Sequence, residues 1–383
     1  MRNLTKYILG SMVMGACVLS SCDNAEYDEL RNQAYILQTG TNANSAEKMT
    51  VGTEAVATSI NVRLSDVAAE TSSYRLVYDA EALNEYNKRN ETTYEALPQS
   101  SFSLSDTEVT VEAGSSVSTP VTLTVNPLTQ EMKDSGKKYA VAFRLESADG
   151  KTNVMKSGSV MVYIVDLVII QPVVVLNTGH YVQNEMSETY PLTEWTVEFN
   201  INKAILGTAV GQYNNQALFS ASPDEIYIRF GDAPIEGNRL QIKTQGTQMN
   251  SQMLFNANTW YHIAFVCTGS KLYLYVNGQL DNSMDMPGKT TNVNSYTLCS
   301  NSYYTKGDAM FSEYRLWSKA RTQKELQNNM YVCDPTTEGL IFYYKFNEGS
   351  GFNFRDSSKN GYHTTTVGES MPTWVQDVRI DGK

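Results

Sequence analysis

Few residues in this chain could carry out catalysis. His180, His262 and His363 are the only histidines, and no Gly-x-Ser-x-Gly stretch supplies a strained nucleophile. Ser-His-Asp hydrolysis therefore has no framework. His180 and His363 lie near loops, and His262 falls inside an alternating apolar run, where a packed histidine is expected. Carboxylate pairs fare little better. Glu194 and Glu198 are four apart and share a face in a regular strand, but no acid stands between them. Asp224 and Glu225 are adjacent and point to opposite faces if they lie in a strand. Cleaving a glycosidic bond requires two carboxyl groups facing one cleft, and no spacing here provides them.

Binding has more material. Asp281, Asn282 and Asp285 follow the Asn277-Gly278 turn, and Asn301 and Asp308 flank another polar loop. Both are oxygen-rich sets of the kind Ca²⁺ takes from loops. Neither has a fixed ligand spacing, and solvated loop acids read the same way. No cofactor is required by the sequence; calcium is the one these sets suggest, with Asp281, Asn282 and Asp285 as the metal candidates. Two stretches combine aromatic rings with planar polar groups: Asn301-Ser-Tyr-Tyr-Thr-Lys-Gly-Asp308 and Tyr213-Asn-Asn-Gln216. A sugar ring needs a flat apolar face to stack on and amides or carboxylates for its hydroxyls. Tyr303, Tyr304, Asn301, Asp308, Tyr213 and Asn215 are therefore the ligand-binding candidates. A loop this polar is expected to expose at least one of Tyr303 and Tyr304.

The chain has 383 residues, enough for two or three domains, and its 41% hydrophobic and 19% charged content is that of a folded globular protein. A net charge of -11 argues against nucleic acid, which selects basic patches. The N-terminus reads as processing sequence. Arg2 and Lys6 precede an apolar run over residues 7–19 that is too short to span a bilayer. Leu19-Ser-Ser-Cys22 resembles a bacterial lipobox, which implies lipidation at Cys22. The acidic stretch over residues 23–29 resembles the export tag of surface lipoproteins of Bacteroidetes-type bacteria. Cys17 goes with the leader and Cys22 takes the lipid. Cys267, Cys299 and Cys333 remain, which permits one bridge at most. No Cys-x-x-Cys pair suggests zinc.

Rigid elements must position the loop candidates. Residues 258–280 read as a hairpin: Trp260, His262, Ala264 and Val266 alternate with Tyr261, Ile263, Phe265 and Cys267, and Leu272, Leu274 and Val276 with Tyr273 and Tyr275. In the 194–201 strand, Trp195, Val197, Phe199 and Ile201 share one face. Residues 322–330 form a short helix, with Thr322 and Glu325 as a capping box. Residues 339–346 are expected to be the closing strand. Upstream, about seven short strands and one polar helix over residues 80–89, capped by Asp79, predict an immunoglobulin-like sandwich. The apolar run over residues 160–176 is broken by Asp166, Gln171 and Pro172 and rich in Val and Ile. It reads as two strands around a linker at 166–172 rather than a membrane helix.

Two families share these patterns. Trp260-Tyr-His262 with Leu272-Tyr-Leu-Tyr-Val-Asn-Gly278, Phe311-Ser-Glu-Tyr-Arg-Leu-Trp317, and Gly339-Leu-Ile-Phe-Tyr-Tyr-Lys-Phe-Asn-Glu-Gly349 with Asp356-Ser-Ser358 resemble the laminin-G/concanavalin A-like domains, in order, over roughly the last 210 residues. Tyr78-Asp79, residues 83–90, Thr93-Tyr94 through Pro98 and Val109-Thr-Val-Glu-Ala-Gly114 resemble the DUF1735 domain, a module that caps surface lipoproteins of glycan-utilisation systems. The expectation is an all-β chain: leader 1–21, acidic tether 22–34, DUF1735-like immunoglobulin-type sandwich with one inserted helix 35–166, and concanavalin A-like jelly-roll sandwich 167–383. The resemblances imply a non-catalytic glycan-binding lipoprotein, surface-exposed on the outer membrane. Its expected partners are a glycan and an outer-membrane transport complex, with only a lipid anchor in the bilayer. An adhesin or scaffold for protein partners is the first competing class and a glycoside hydrolase the second.

Overall fold

The computed structural model describes residues 32–150, 152–299 and 305–381. The leader, Cys22, Asn301, Tyr303 and Tyr304 lie outside the described residues. In the first half, the Lys138–Ser147 strand sits inside a six-stranded sheet, between Val160–Leu167 and Ser72–Tyr78. It is apolar on both faces. Tyr139, Val141, Phe143 and Leu145 point into the main core, where Ile60, Val62, Leu123 and Val125 of two three-stranded sheets meet them. Ala140 and Ala142 point outward, and their small side chains let the Ala80–Asn90 helix lie close through Ala82, Leu83 and Tyr86. Asp79 caps that helix by accepting from the Ala82 amide at 2.9 Å, as the sequence predicts. A second short helix, Gln130–Asp134, was not expected.

The second half is a sandwich of two eight-stranded sheets. One runs Gln279–Asp285, Lys271–Val276, Trp260–Cys267, Trp195–Lys203, Ala309–Trp317, Ile170–Leu176, Trp374–Arg379, with Leu340–Tyr344 also paired to Ala309–Trp317. The other runs Thr247–Leu254, Arg239–Thr244, Ile226–Phe230, Gln216–Pro223, Thr291–Leu298, Tyr181–Leu192, Thr364–Val367, Asn353–Phe354. Trp195, Val197, Phe199 and Ile201 meet Phe219, Ile228 and Ile242 between the sheets. Burial on this scale contributes about 25 cal/mol per Å² of apolar surface and holds the sandwich together. All-β character, an immunoglobulin-like first half and a concanavalin A-like second half agree with the sequence reading.

Two readings need correction. The run over residues 160–176 is indeed two strands, but Val160–Leu167 and Ile170–Leu176 leave only Val168 and Ile169 between them, so Asp166 and Pro172 are strand residues. Leu340–Tyr344 does not close the sandwich. The chain runs on, and Trp374–Arg379 pairs with Ile170–Leu176 instead. Cys267, Cys299 and Cys333 are all free thiols in buried positions.

Candidate functional site

Of the two acids that share a strand face by sequence, one is sealed. Glu194 precedes the Trp195–Lys203 strand and is exposed, whereas Glu198 is fully buried on the strand's outer face. Glu198 accepts from Trp317 Nε1 at 2.8 Å, His262 Nε2 at 3.2 Å, Arg315 at 3.3 Å and Arg321. Burial alone would raise its pKa, but Arg321 and Arg315, with the His262 hydrogen bond, outweigh it and hold the carboxyl well below its ordinary range. Burial keeps His262 on the neutral side of its ordinary range against the pull of Glu198. A neutral imidazole donating from Nε2 leaves Nδ1 bare, and Nδ1 has no partner. The Gln323–Asn329 helix and the segment after it cover this layer: Arg315 donates to the Asn329 carbonyl and Asn200 to that of Met330. The layer is internal glue between sheet and helix. His262 is packed, as expected; its carboxylate partner is not visible in the sequence. Asp224 is also structural, accepting from the Asn292 amide at 2.7 Å.

The calcium set does not assemble. Asp281, Asn282 and Asp285 lie on the Gln279–Asp285 strand, not in a loop. Asp281 accepts from the Gln252 and Met253 amides at 2.8 Å each, Asn282 donates to the Asn250 carbonyl at 2.7 Å, and Asp285 pairs with Lys271 at 2.6 Å. Asp281 and Asn282 thus bind the edges of the two sheets together, and Asp285 is an exposed ion-pair partner. Among the described residues no three His, Cys, Asp or Glu are grouped to hold a metal.

The described end of one aromatic-amide stretch, residues 305–308, meets the other, residues 213–216, at one rim of the second sandwich. Lys203 ends its strand with its ammonium on the Gly307 carbonyl at 3.0 Å and on that of Lys306. The Lys306 amide donates to Gln216 Oε1 at 3.0 Å, and Asn177 donates to Asp308 Oδ1 at 2.9 Å. The loops at 204–215 and 231–238 interlock through Gly211 N to Ile235 O (3.0 Å) and Gly237 N to Ala209 O (3.2 Å). Gly237 is required there, because a Cβ would sit 1.8 Å from the Gln212 carbonyl oxygen.

Arg229 is the pillar of this rim. Its guanidinium donates to Gln241 Oε1 at 2.6 Å, to Asn215 Oδ1 at 2.9 Å and to Asp232, and stacks 5.2 Å from the Tyr227 ring centre. Tyr227 donates to the same Asn215 oxygen at 2.9 Å, and burial pushes its hydroxyl pKa up. Asn215 therefore holds the rim together through Oδ1 and does not present that atom to a ligand. Tyr213, with positive φ, is 42% exposed, so its ring is the open aromatic face among the described residues of this rim. Asn214 Oδ1 is buried without a partner beside it. A groove of about 400 Å³ adjoins the rim between the two sheet edges, lined by Ile235, Arg239, Asn250, Gln252, Asn282 and Met284. Sequence reasoning missed Arg229, Asp232 and Gln241. The only signal was an arginine and a glutamine at outward positions of strands with buried alternates.

Comparison with known proteins agrees with this architecture. Residues 30–152 match a family of N-terminal domains, the DUF1735-type module expected from the sequence. Residues 176–327 match the concanavalin A-like lectin/glucanase superfamily. None of the curated proteins matches the sequence. A Bacteroides ovatus protein named as a candidate carbohydrate-binding protein is 20% identical. It covers 92% of this chain and 100% of its own, with a TM-score of 0.62. The Bacteroides thetaiotaomicron endoglycosidase EndoBT-3987, solved with a Man5GlcNAc product, is 19% identical over 35% of this chain and 30% of its own, with a TM-score of 0.30. The SAP-like pentraxin of Limulus polyphemus is 12% identical over 55% of this chain and 98% of its own, with a TM-score of 0.38. The chain thus joins a DUF1735-type N-terminal domain to a concanavalin A-like lectin/glucanase domain.

Proposed function

We propose that this protein is a non-catalytic glycan-binding protein whose ligand docks at the rim around Tyr213. One observation carries the reading. The rim gathers an exposed aromatic ring, an unpartnered amide oxygen and a pre-organised Arg229–Asp232–Asn215 network, while the best-placed acid, Glu198, is locked away from solvent. The network fixes the segment that carries Tyr213, so the ring meets a ligand without first being ordered. The name of the Bacteroides ovatus neighbour, which shares the fold, points the same way. Lipidation at Cys22 would hold the protein on the outer surface of the outer membrane, where it would pass captured glycan to a transport complex.

A polysaccharide array with the purified intact chain tests the binding. Tyr213→Ala is expected to weaken the glycan signal about fivefold or more, because an aromatic stacking face contributes about 1 kcal/mol, with the melting temperature unchanged. Signal to proteins alone would assign the rim to a protein partner, and exposed Val210 and Leu254 would suit that surface. For the anchor, Cys22→Ala is expected to move the protein out of the membrane fraction.

A further inference from the structure

A second cavity lies away from the rim, between the two halves. It encloses about 350 Å³ and is bounded by Tyr94, Lys138 and Tyr139 of the first half and Met330, Tyr331 and Val332 of the second. Cavities between domains are common ligand sites, and this volume suits a small molecule. Its charge is unusual for a protein of net charge -11. Lys48, Lys137 and Lys138 all line it, against Asp166 and Asp381. Lys137 is already paired with Glu95 at 2.9 Å, and Asp381 with Arg379 at 2.7 Å. Lys48 and Lys138 make no hydrogen bond or ion pair among the described residues. Asp166 lies near enough to attract the Lys138 charge.

We propose that this cavity binds a compact oxyanion, the carboxylate or sulfate of an acidic sugar or a free anion of the same chemistry, with the Lys138 ammonium as its counter-charge. The half-buried Lys138 side chain has no bonded counter-ion among the described residues, and nearby Asp166 offsets its desolvation only in part. Consistent with this, burial lowers the Lys138 pKa to about 8, with buried Arg315 and nearby Lys48 adding to the effect and Cys333 and Asp166 opposing it. An anion seated on Lys138 restores the charge balance and accepts a charge-assisted hydrogen bond. Tyr94 and Tyr331 supply ring faces and hydroxyls for the remainder of a sugar. This site is independent of the rim, and either can fail without the other.

The test titrates the intact chain with glucuronate, glucose and inorganic sulfate, following binding by calorimetry. Glucuronate and sulfate are expected to bind and glucose not to. Glucuronate binding tighter than sulfate would assign an acidic sugar, and equal binding a free anion. Lys138→Met, which keeps the stem and removes the charge, is expected to weaken binding at least about tenfold, the loss of one charged hydrogen bond. Tyr213→Ala is expected to leave it unchanged. Acetylation of Lys138 in the unmutated chain, followed by mass spectrometry, gives a readout independent of the variant's folding: bound glucuronate or sulfate should protect that amine. Neither anion binding, or no protection of Lys138, would overturn the proposal.

Discussion

Removing the Glu198 carboxylate would leave Arg315 and Arg321 facing each other in a layer closed to water. A buried pair broken from one side destabilises a protein by about 3–5 kcal/mol; Arg315 keeps Glu313, so Arg321 is the charge left without a carboxylate. Glu198→Ala is expected to lower the urea midpoint accordingly, and a midpoint near wild type would mean that water reaches the layer. The same cluster sets a pH dependence. His262 is held neutral in the folded protein, mainly by burial, while in the unfolded chain it takes a proton near its ordinary pKa of about 6.5. The unfolded state therefore gains protons first as pH falls, and stability declines through that range. Glu198, with a lowered pKa, adds stability above the ordinary carboxylate range that is lost only as pH falls through its depressed value. Glu313 has the opposite sign. Burial raises its pKa, Arg315 offsets this only in part, and its contribution is present at low pH and lost as pH rises through the folded value. Urea unfolding at about pH 7.5 and about pH 5.5 should show a smaller loss on acidification for His262→Gln than for wild type. Equal losses would place the titration elsewhere. None of this could be read in the sequence, because Glu198, His262, Arg315 and Arg321 come from three strands and a loop and share no local spacing.

At the scale of elements, the Gln323–Asn329 helix is the lid on that layer. It has only seven residues, too few to be stable alone in water, so capping and packing hold it. The Glu325 amide donates to Thr322 Oγ1 at 3.2 Å, and the Thr322 amide to Glu325 Oε2 at 2.8 Å, the reciprocal box that the sequence predicts. Leu326 packs on Ala264 and Val266 of the strand below. Thr322→Ala should destabilise the chain by about 1 kcal/mol, and Thr322→Ser by much less. Paired urea titrations would show it. Equal losses in the two variants would mean that the threonine methyl, not the cap, matters. Local signals such as this cap and the Trp195 alternation were legible because one element contains all their residues. Leu340–Tyr344 was misread as the closing strand because it is buried on both faces, and a strand of continuous apolar residues carries no sign of its neighbours. The candidate loops were chosen by composition. Composition picked out Tyr213 but could not separate it from Asn215, whose side-chain oxygen supports Arg229.

At the scale of the whole molecule, the two halves are joined by a link of two residues fastened on both sides. The Val168 amide donates to the Val51 carbonyl of the first half, and the Ile169 carbonyl accepts from the Ile380 amide of the second. The division into two β-units was legible in the sequence, since each half has its own strand pattern. Their docking was not, because it depends on approaches between residues far apart in the chain, such as Lys324 to Glu91 at 3.9 Å and Gly136 to Cys333. Gly136, with φ of +68°, sits against the segment that follows the lid helix, and a Cβ there would lie 2.3 Å from the Cys333 carbonyl oxygen. Gly136→Ala must therefore either strain a left-handed turn or push Cys333 away, at about 1 kcal/mol or more. The cheaper relief is to part the halves, since each keeps its own hydrophobic core. Limited proteolysis should then cut Gly136→Ala faster than wild type near Val168 and Ile169, leaving both fragments resistant. The interdomain cavity would open with the same change, so Lys138 should be acetylated faster. Unchanged cleavage and labelling, with only a lowered melting temperature, would show that the turn absorbs the strain and that other contacts hold the halves together.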